Sequence, residues 1–440
     1  MPLQTLRLIT NPVPFLEACR ERHGGTFTLR IARTGTAVFI SDPPSLKALF
    51  GADRVNMIAK GRNVLLEPLL GPRSVLLTED DEHLSRRKMM LPPFHGERMR
   101  AYTEVMAEAT EREVATWPLG EPFRLHTSMQ AITLEVIMRA VFGVADERLA
   151  ELRENLISML AATSSPLTLA LSVSTSERLG VFRETRRAIA RTDEILLAEI
   201  AAHRAEGDLD SRTDILAMLI SARDEKGEGM DDEELRDQLL TLLLAGHETT
   251  ATALAWTFDL LFHHPEAMTR LREEVEAGET EYLDAVIEEA LRLRPVVPFV
   301  GRELRQDSEL AGYELPSGTA VFPAIYLTHT DEDVFPDPYA FRPERFIERP
   351  TETYSWIPFG GGTRRCIGAT FAQFEMRIVL STVLQSVALR GASREPEGIV
   401  RRNVTLSPKH GTPAIVDHRL TPRKPAAEPA TALSGAPSPT

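Results

Sequence analysis

Cys366 sits in the run Phe359-Gly-Gly-Gly-Thr-Arg-Arg-Cys-Ile-Gly368, where a cysteine can serve as a metal ligand. The thiolate is the ligating form, so what matters is how the surroundings treat its charge. Consecutive glycines let backbone N–H groups approach the sulfur, and the helix expected to follow points its positive end towards it. Both effects are expected to lower the thiol pKa and temper its reactivity. The plain alternative is a buried free cysteine after a glycine turn. Against it, Phe359, Gly362, Arg364, Cys366 and Gly368 together satisfy F-x-x-G-x-R-x-C-x-G, a far more specific signal than a lone cysteine. The one other cysteine, Cys19, is read as an incidental thiol. A disulfide framework and a cysteine-rich zinc site are therefore excluded.

Two further groupings carry chemistry. Ala245-Gly-His-Glu-Thr-Thr250 interrupts an apolar helical run. Gly246 costs about 1 kcal/mol there relative to alanine, so it needs a reason. Thr249 can bond back to a helical carbonyl and open a local groove. Glu289-Ala-Leu-Arg292 puts an acid and a base at i and i+3, on one helix face, where they can pair.

These groupings occur in the order and setting of the cytochrome P-450 family, which the chain resembles from about residue 20 to 418. The cysteine run is similar to the family's proximal haem loop, so Cys366 is expected to ligate a haem b iron, with Phe359 and Gly368 shaping the loop. Glu289 and Arg292 match the family's E-x-x-R, and Arg345 in Pro343-Glu-Arg-Phe346 matches its third partner. That network is expected to hold the cysteine loop in place. Glu248 and Thr249 match the acid–alcohol pair that delivers protons during dioxygen activation. Ala245 and Gly246 would let their helix lie close over the haem. His83 and Arg87 in EHLSRRK, Arg302 in FVGREL, and Arg364 are the expected propionate holders.

The resemblance also implies a substrate pocket lined by Leu65, Leu66, Leu69, Leu171, Leu242, Val297, Phe299 and Val300. Such a lining suits a lipophilic molecule of the fatty acid, terpenoid, steroid or macrolide class. The implied activity is monooxygenation, hydroxylating or epoxidising that substrate with O2, two electrons and two protons. Electrons would come from a separate ferredoxin and ferredoxin reductase, the acidic ferredoxin docking near Arg86, Lys88 and Arg365. A peroxygenase, or a haem sensor or carrier without turnover, are the alternatives; the Glu248–Thr249 pair counts against both. No nucleotide-loop, dinucleotide or zinc-protease motif is present, so no bound flavin or nucleotide is expected. His247, His263, His264 and His329 are read as structural.

The elements that must position these residues are mainly helical, with a small β region. Phe27 to Ile31 and Ala37 to Ser41 read as strands around an Arg33-Thr-Gly35 turn, and Asp42-Pro-Pro44 opens a short helix. A long helix is expected from Asp232 to His264, with Asp231 as cap and Glu234 in a capping-box position. Its middle, LLTLLLAGHETTATALAW, is apolar around most of its circumference and should cross the interior. A second helix ends at Pro295. A β segment, a Pro-rich meander, the cysteine loop and a last helix follow. The expected architecture is a triangular prism, with the haem between the long helix and the cysteine-loop helix.

The 440 residues carry a net charge of −14, which excludes nucleic acid and anionic membrane as main partners. Residues 1–20 read as an N-terminal segment and 21–418 as one domain. Residues 419–440 read as a disordered Pro/Ala/Ser-rich tail. No apolar run near 18 residues and no signal-peptide pattern is visible, so a cytoplasmic monomer without a membrane anchor is expected.

Overall fold

The computed structural model describes residues 3–420 except 33, 59–66, 144–146, 164–180, 207, 210 and 403. The chain opens with helices α1 (Leu3–Thr10) and α2 (Pro12–His23), broken apart where Pro12 and Pro14 take the first turn of the second. Proline fits there because its missing N–H would be unpaired anyway. Strands β1 (Thr26–Ile31) and β2 (Gly35–Ile40) follow as an antiparallel hairpin. They join β3 (Met57–Ile58), β4 (Arg302–Leu304) and β5 (Ala320–Pro323) in one sheet, in the order β1-β2-β5-β4-β3. The β2–β5 pairing is parallel, with Ala37 opposite Ala320.

Alternation along β1 turns Phe27 and Leu29 inward. The rings of Phe27 and Phe322 stack on Phe39 at centroid distances of 5.4 and 5.1 Å. Leu8, Val13, Leu16 and Cys19 pack into the same cluster, so the first two helices are built onto this sheet.

After β2, Asp42 caps α3 (Pro43–Gly51) by accepting from Ser45 N at 2.8 Å. A single turn, α4 (Asp53–Asn56), leads into β3. The helical body contains α5 (Asp80–Met90), α6 (Leu125–Phe142), α7 (Asp232–His263), α8 (Glu281–Leu293) and α9 (Ala369–Ser386). Helix α7 crosses the core and is buried on nearly every side, with α6 packed along it. Asp231 caps α7, its carboxylate accepting from Glu234 N at 2.9 Å. The capping box stops halfway, because the Glu234 carboxylate pairs with Arg86 of α5 instead of returning to the cap.

The fold is mainly helical with small sheets, as the sequence pattern implies. Short C-terminal strands escaped that pattern. Pro413–Arg419 lies between Pro122–Arg124 and Val387–Gly391 and pairs with both, and Ile399–Arg402 forms a hairpin with Thr405–Pro408. Among the described residues, no helix is long and apolar enough to cross a membrane.

Candidate active site

The cysteine loop turns back on itself through a bond from Cys366 N to Phe359 O, 3.0 Å. Two of its glycines hold positive φ, +70° at Gly360 and +68° at Gly362. The run also lies tight against the preceding structure. A Cβ on Gly361 would come within 2.6 Å of the Phe50 ring, and one on Gly362 within 2.7 Å of Asp53 Oδ2. Much of the glycine requirement is therefore the close approach of the loop to α3 and α4.

The N–H that reaches the sulfur belongs to Gly368. Cys366 keeps an exposed face, yet protein surrounds it, and burial raises the thiol pKa. The Gly368 N–H, Arg87 and Arg365 pull the other way. For a thiol that carries no metal, desolvation outweighs the loop's positive groups; the expected lowering concerns the metal-bound thiolate.

Helix α7 brings the second set of residues. Ala245 is exposed although Leu243, Leu244 and His247 around it are buried, so this face of α7 opens onto space. One turn on, Thr249 Oγ1 donates back to Ala245 O at 2.7 Å. Gly246 faces a different way, since a Cβ there would lie 3.5 Å from Ile137 of α6. Glu248 also turns to α6, where its Oε2 accepts from Gln130 Nε2 at 2.6 Å. Burial pushes its carboxyl pKa up, and Gln130 and Arg402 oppose the shift.

The basic residues have distinct surroundings. Arg87 lies beside Cys366 on α5 and has no carboxylate partner among the described residues; burial lowers its pKa. A half-buried guanidinium lacking a counter-ion is suited to an anionic group brought next to the sulfur. Arg364 donates to Thr78 O and Glu79 Oε2, each at 2.6 Å. Arg302 donates from Nε to Asp53 Oδ1 at 2.7 Å. His83 sets Nδ1 2.9 Å from Val75 O and Nε2 3.2 Å from Thr363 O. Burial lowers its pKa to about 4. An open face on Cys366, an exposed small residue on α7 and a cation beside the sulfur with no carboxylate partner among the described residues fit a flat, apolar, anion-bearing cofactor.

Behind the loop lies a dry ionic knot. Arg292 makes a two-pronged contact with Glu289, 2.6 Å from Nε and 2.8 Å from Nη2. Arg345 Nε reaches the same carboxylate at 3.1 Å. Arg292 also donates to His329 O and Pro338 O, both at 2.7 Å, tying α8 to the meander. His329 Nε2 accepts from Ile357 N at 2.9 Å, which places its proton on Nδ1, 3.2 Å from Arg292 O. The meander and the approach to the cysteine loop are thus hung from one buried helix end.

Of the expected pocket residues, Leu65, Leu66 and Leu171 lie outside the described residues. Leu69 and Leu242 are half-buried against the main core, and Val297 is half-buried before β4. Phe299 packs edge-on to Phe39 at 5.5 Å, and Val300 packs with Leu46, Phe50, Ile325 and Ile357.

A family model described as cytochrome P450 matches residues 2–412. The chain belongs to the cytochrome P450 family. Proteins carrying the name cytochrome P450 135B1 in Mycobacterium bovis and Mycobacterium tuberculosis are 42% identical to it over 416 residues. The match covers 93% of this chain and 88% of theirs. Among solved structures, a retinoic acid-bound cyanobacterial CYP120A1 superposes with a TM-score of 0.83 at 27% identity, covering 95% of this chain and 96% of the other. A cytochrome P450DA haem domain gives 0.82 at 25% identity, covering 94% and 93%. This P450 is accordingly a monooxygenase of the cysteine-ligated haem class, using dioxygen and a redox partner.

Several residues of this P450's site carry no sequence signal. Gln130 and His126 reach Glu248 from α6, Asp53 reaches Arg302 and the cysteine loop, and Glu79 reaches Arg364. Glu375 lies fully buried on α9 beneath Thr250, with its carboxyl pKa raised well above the ordinary value by burial. Only Glu375, a charged residue on the apolar face of a predicted helix, could have been noticed from the pattern.

Proposed function

We propose that this P450 holds haem b on Cys366, with Arg87 beside the sulfur as one propionate partner. It would insert one oxygen atom into a lipophilic substrate. The observation that carries this reading is the Thr249 hydroxyl bonded back to Ala245 O on the open face of α7, with Glu248 adjacent. A hydroxyl has one hydrogen and two acceptor sites, so Thr249 can take a hydrogen bond while donating to its own helix. Burial makes Glu248 hold a proton closer to neutral pH than an ordinary carboxyl, which suits an acid that gives and regains protons. A haem bound there supplies dioxygen binding, its reduction and the oxidising equivalent. Apolar Leu69, Leu242 and Val297 support a lipophilic substrate, as does the retinoic acid in the cyanobacterial neighbour.

Electrons would arrive from a small acidic ferredoxin and its reductase, to a monomer in the cytoplasm, with no bound flavin. Arg365 is exposed and suits such docking. Lys88 is exposed but paired with Glu225 at 2.5 Å, and Arg86 is engaged with Glu234.

The test has two parts. The reduced protein with carbon monoxide should give the strongly red-shifted Soret band of a thiolate ligand; a histidine-type spectrum would sink the reading. A lipophilic compound that shifts the haem to high spin should then be oxidised with a surrogate reductase. With that compound, Thr249→Ala should divert electrons from product to peroxide. Full coupling in that variant removes Thr249 from the mechanism.

A further inference from the structure

The α6–α7 interface is the most extensive helix contact among the described residues, and a polar seam runs through it. From α6, Gln130 Nε2 donates to Glu248 Oε2 at 2.6 Å. One turn earlier, His126 Nε2 lies 3.1 Å from Thr252 Oγ1 and 3.9 Å from Glu248 Oε1. Thr133 Oγ1 donates to His247 O at 2.9 Å, engaging the α7 backbone next to the acid. His247 Nδ1 is buried with no hydrogen-bond partner among the described residues. Apolar packing would be the cheaper way to join two helices, since each buried polar group must be matched or it costs stability. Here Gln130 bonds the Glu248 carboxyl and His126 stands next to it, while Thr133 engages the adjacent backbone.

Glu248 and Thr249 are consecutive, so their side chains leave α7 about 100° apart. Thr249 turns to the face that Ala245 opens, whereas Glu248 is held on the α6 side by Gln130. Among the described residues, the charged or titratable groups facing Glu248 are His126 on α6 and Arg402 from the C-terminal hairpin, with His247 beside it. Burial keeps His126 neutral, its pKa lowered to about 3, so it faces Glu248 as a neutral ring bonded to Thr252 and not as a fixed cation.

We propose that Gln130, backed by His126, is the positioning residue for Glu248, parking its carboxyl in the α6–α7 seam and making that seam the side from which the acid recovers its proton. In each delivery Glu248 gives one proton towards Thr249 and regains one from water entering the seam; no electron moves. This inference rests on the acid role given to Glu248 above.

The experiment uses the haem-loaded protein and an assay of titration as well as turnover. The infrared carbonyl band of protonated Glu248, assigned by its loss in Glu248→Gln, is followed against pH. Gln130→Leu removes a hydrogen bond that favours the anion, so the midpoint should rise by about one to two pH units. Product formed per electron should fall several-fold, and the solvent isotope effect on turnover should change. If Gln130→Leu does not fold, Gln130→Glu tests the same point, because a second acid in the seam also raises the midpoint. A variant that melts lower but keeps the wild-type midpoint and coupling would show that Gln130 is merely structural and overturn the proposal. If Glu248→Gln itself leaves coupling intact, the acid role fails first. If only the Gln130 variants do, this inference alone falls.

Discussion

The Asp53 carboxylate and the Arg302 guanidinium meet at 2.7 Å with both side chains buried, joining the end of α3–α4 to strand β4. The second carboxylate oxygen accepts from Thr363 Oγ1, also at 2.7 Å, inside the cysteine loop. One acid therefore fixes a strand and the ligand loop to each other. Asp53→Ala leaves a buried guanidinium without its counter-charge and should cost about 3–5 kcal/mol of stability. Urea unfolding measures the loss, and the fraction of protein carrying haem after purification should drop with it. Wild-type stability in the variant would remove Asp53 from the scaffold.

Arg292→Lys tests the ionic knot. Lysine keeps the charge but lacks the planar fork that binds both Glu289 oxygens while donating to His329 O and Pro338 O. The variant should behave like a charge deletion, with little thiolate-type carbon monoxide spectrum per unit of protein. Full haem loading would show that charge alone is sufficient.

The long elements were readable because the core demands a 3.6-residue apolar period over many turns. Helix α7 was expected from Asp232 to His264 and ends at His263; α8 stops just before Pro295, as Pro chemistry requires. What could not be read are partners that meet only through the fold. Gln130 and Asp53 look like ordinary surface-type residues in their own segments, and nothing periodic links them to Glu248 or Arg302. The thiol is the instructive case. The loop's N–H groups and cations were visible in the sequence, but the protein that folds around the sulfur and desolvates it was not.

Acid should destabilise the protein through histidines buried in neutral form. Burial lowers the pKa from 6.5 to about 4 at His247 and to about 3 at His126 and His329. The unfolded chain takes up these protons below about pH 6.5 while the fold refuses them, so stability falls as pH drops through that window. At pH 5 each contributes a loss on the order of 2 kcal/mol. His247→Leu should shrink the difference in urea stability between pH 7 and pH 5 by about that amount. An unchanged difference would mean that His247 is not held neutral in the fold.

Charge reversal separates docking from structure on the basic face. Arg365→Glu should slow reduction by an acidic ferredoxin several-fold at low salt, with the deficit shrinking as salt rises. Arg86→Glu places a second acid against Glu234, which is buried, and should lower the unfolding midpoint. Equal reduction rates for Arg365→Glu and wild type at every salt concentration would remove Arg365 from the docking face.

The parallel pairing of β2 with β5 has a consequence for how the molecule is made. Ala37 waits for Ala320, some 280 residues later in the chain. At bacterial elongation rates that interval lasts about 15–60 s. Throughout it, the emerging hairpin carries an unsatisfied strand edge and a bare phenylalanine face beside the ribosome. The sheet can close only after β5 has left the exit tunnel, so nascent-chain yield should depend on chaperone supply up to that point. Chains halted before β5 should be lost to aggregation or proteolysis instead of accumulating as a folded half.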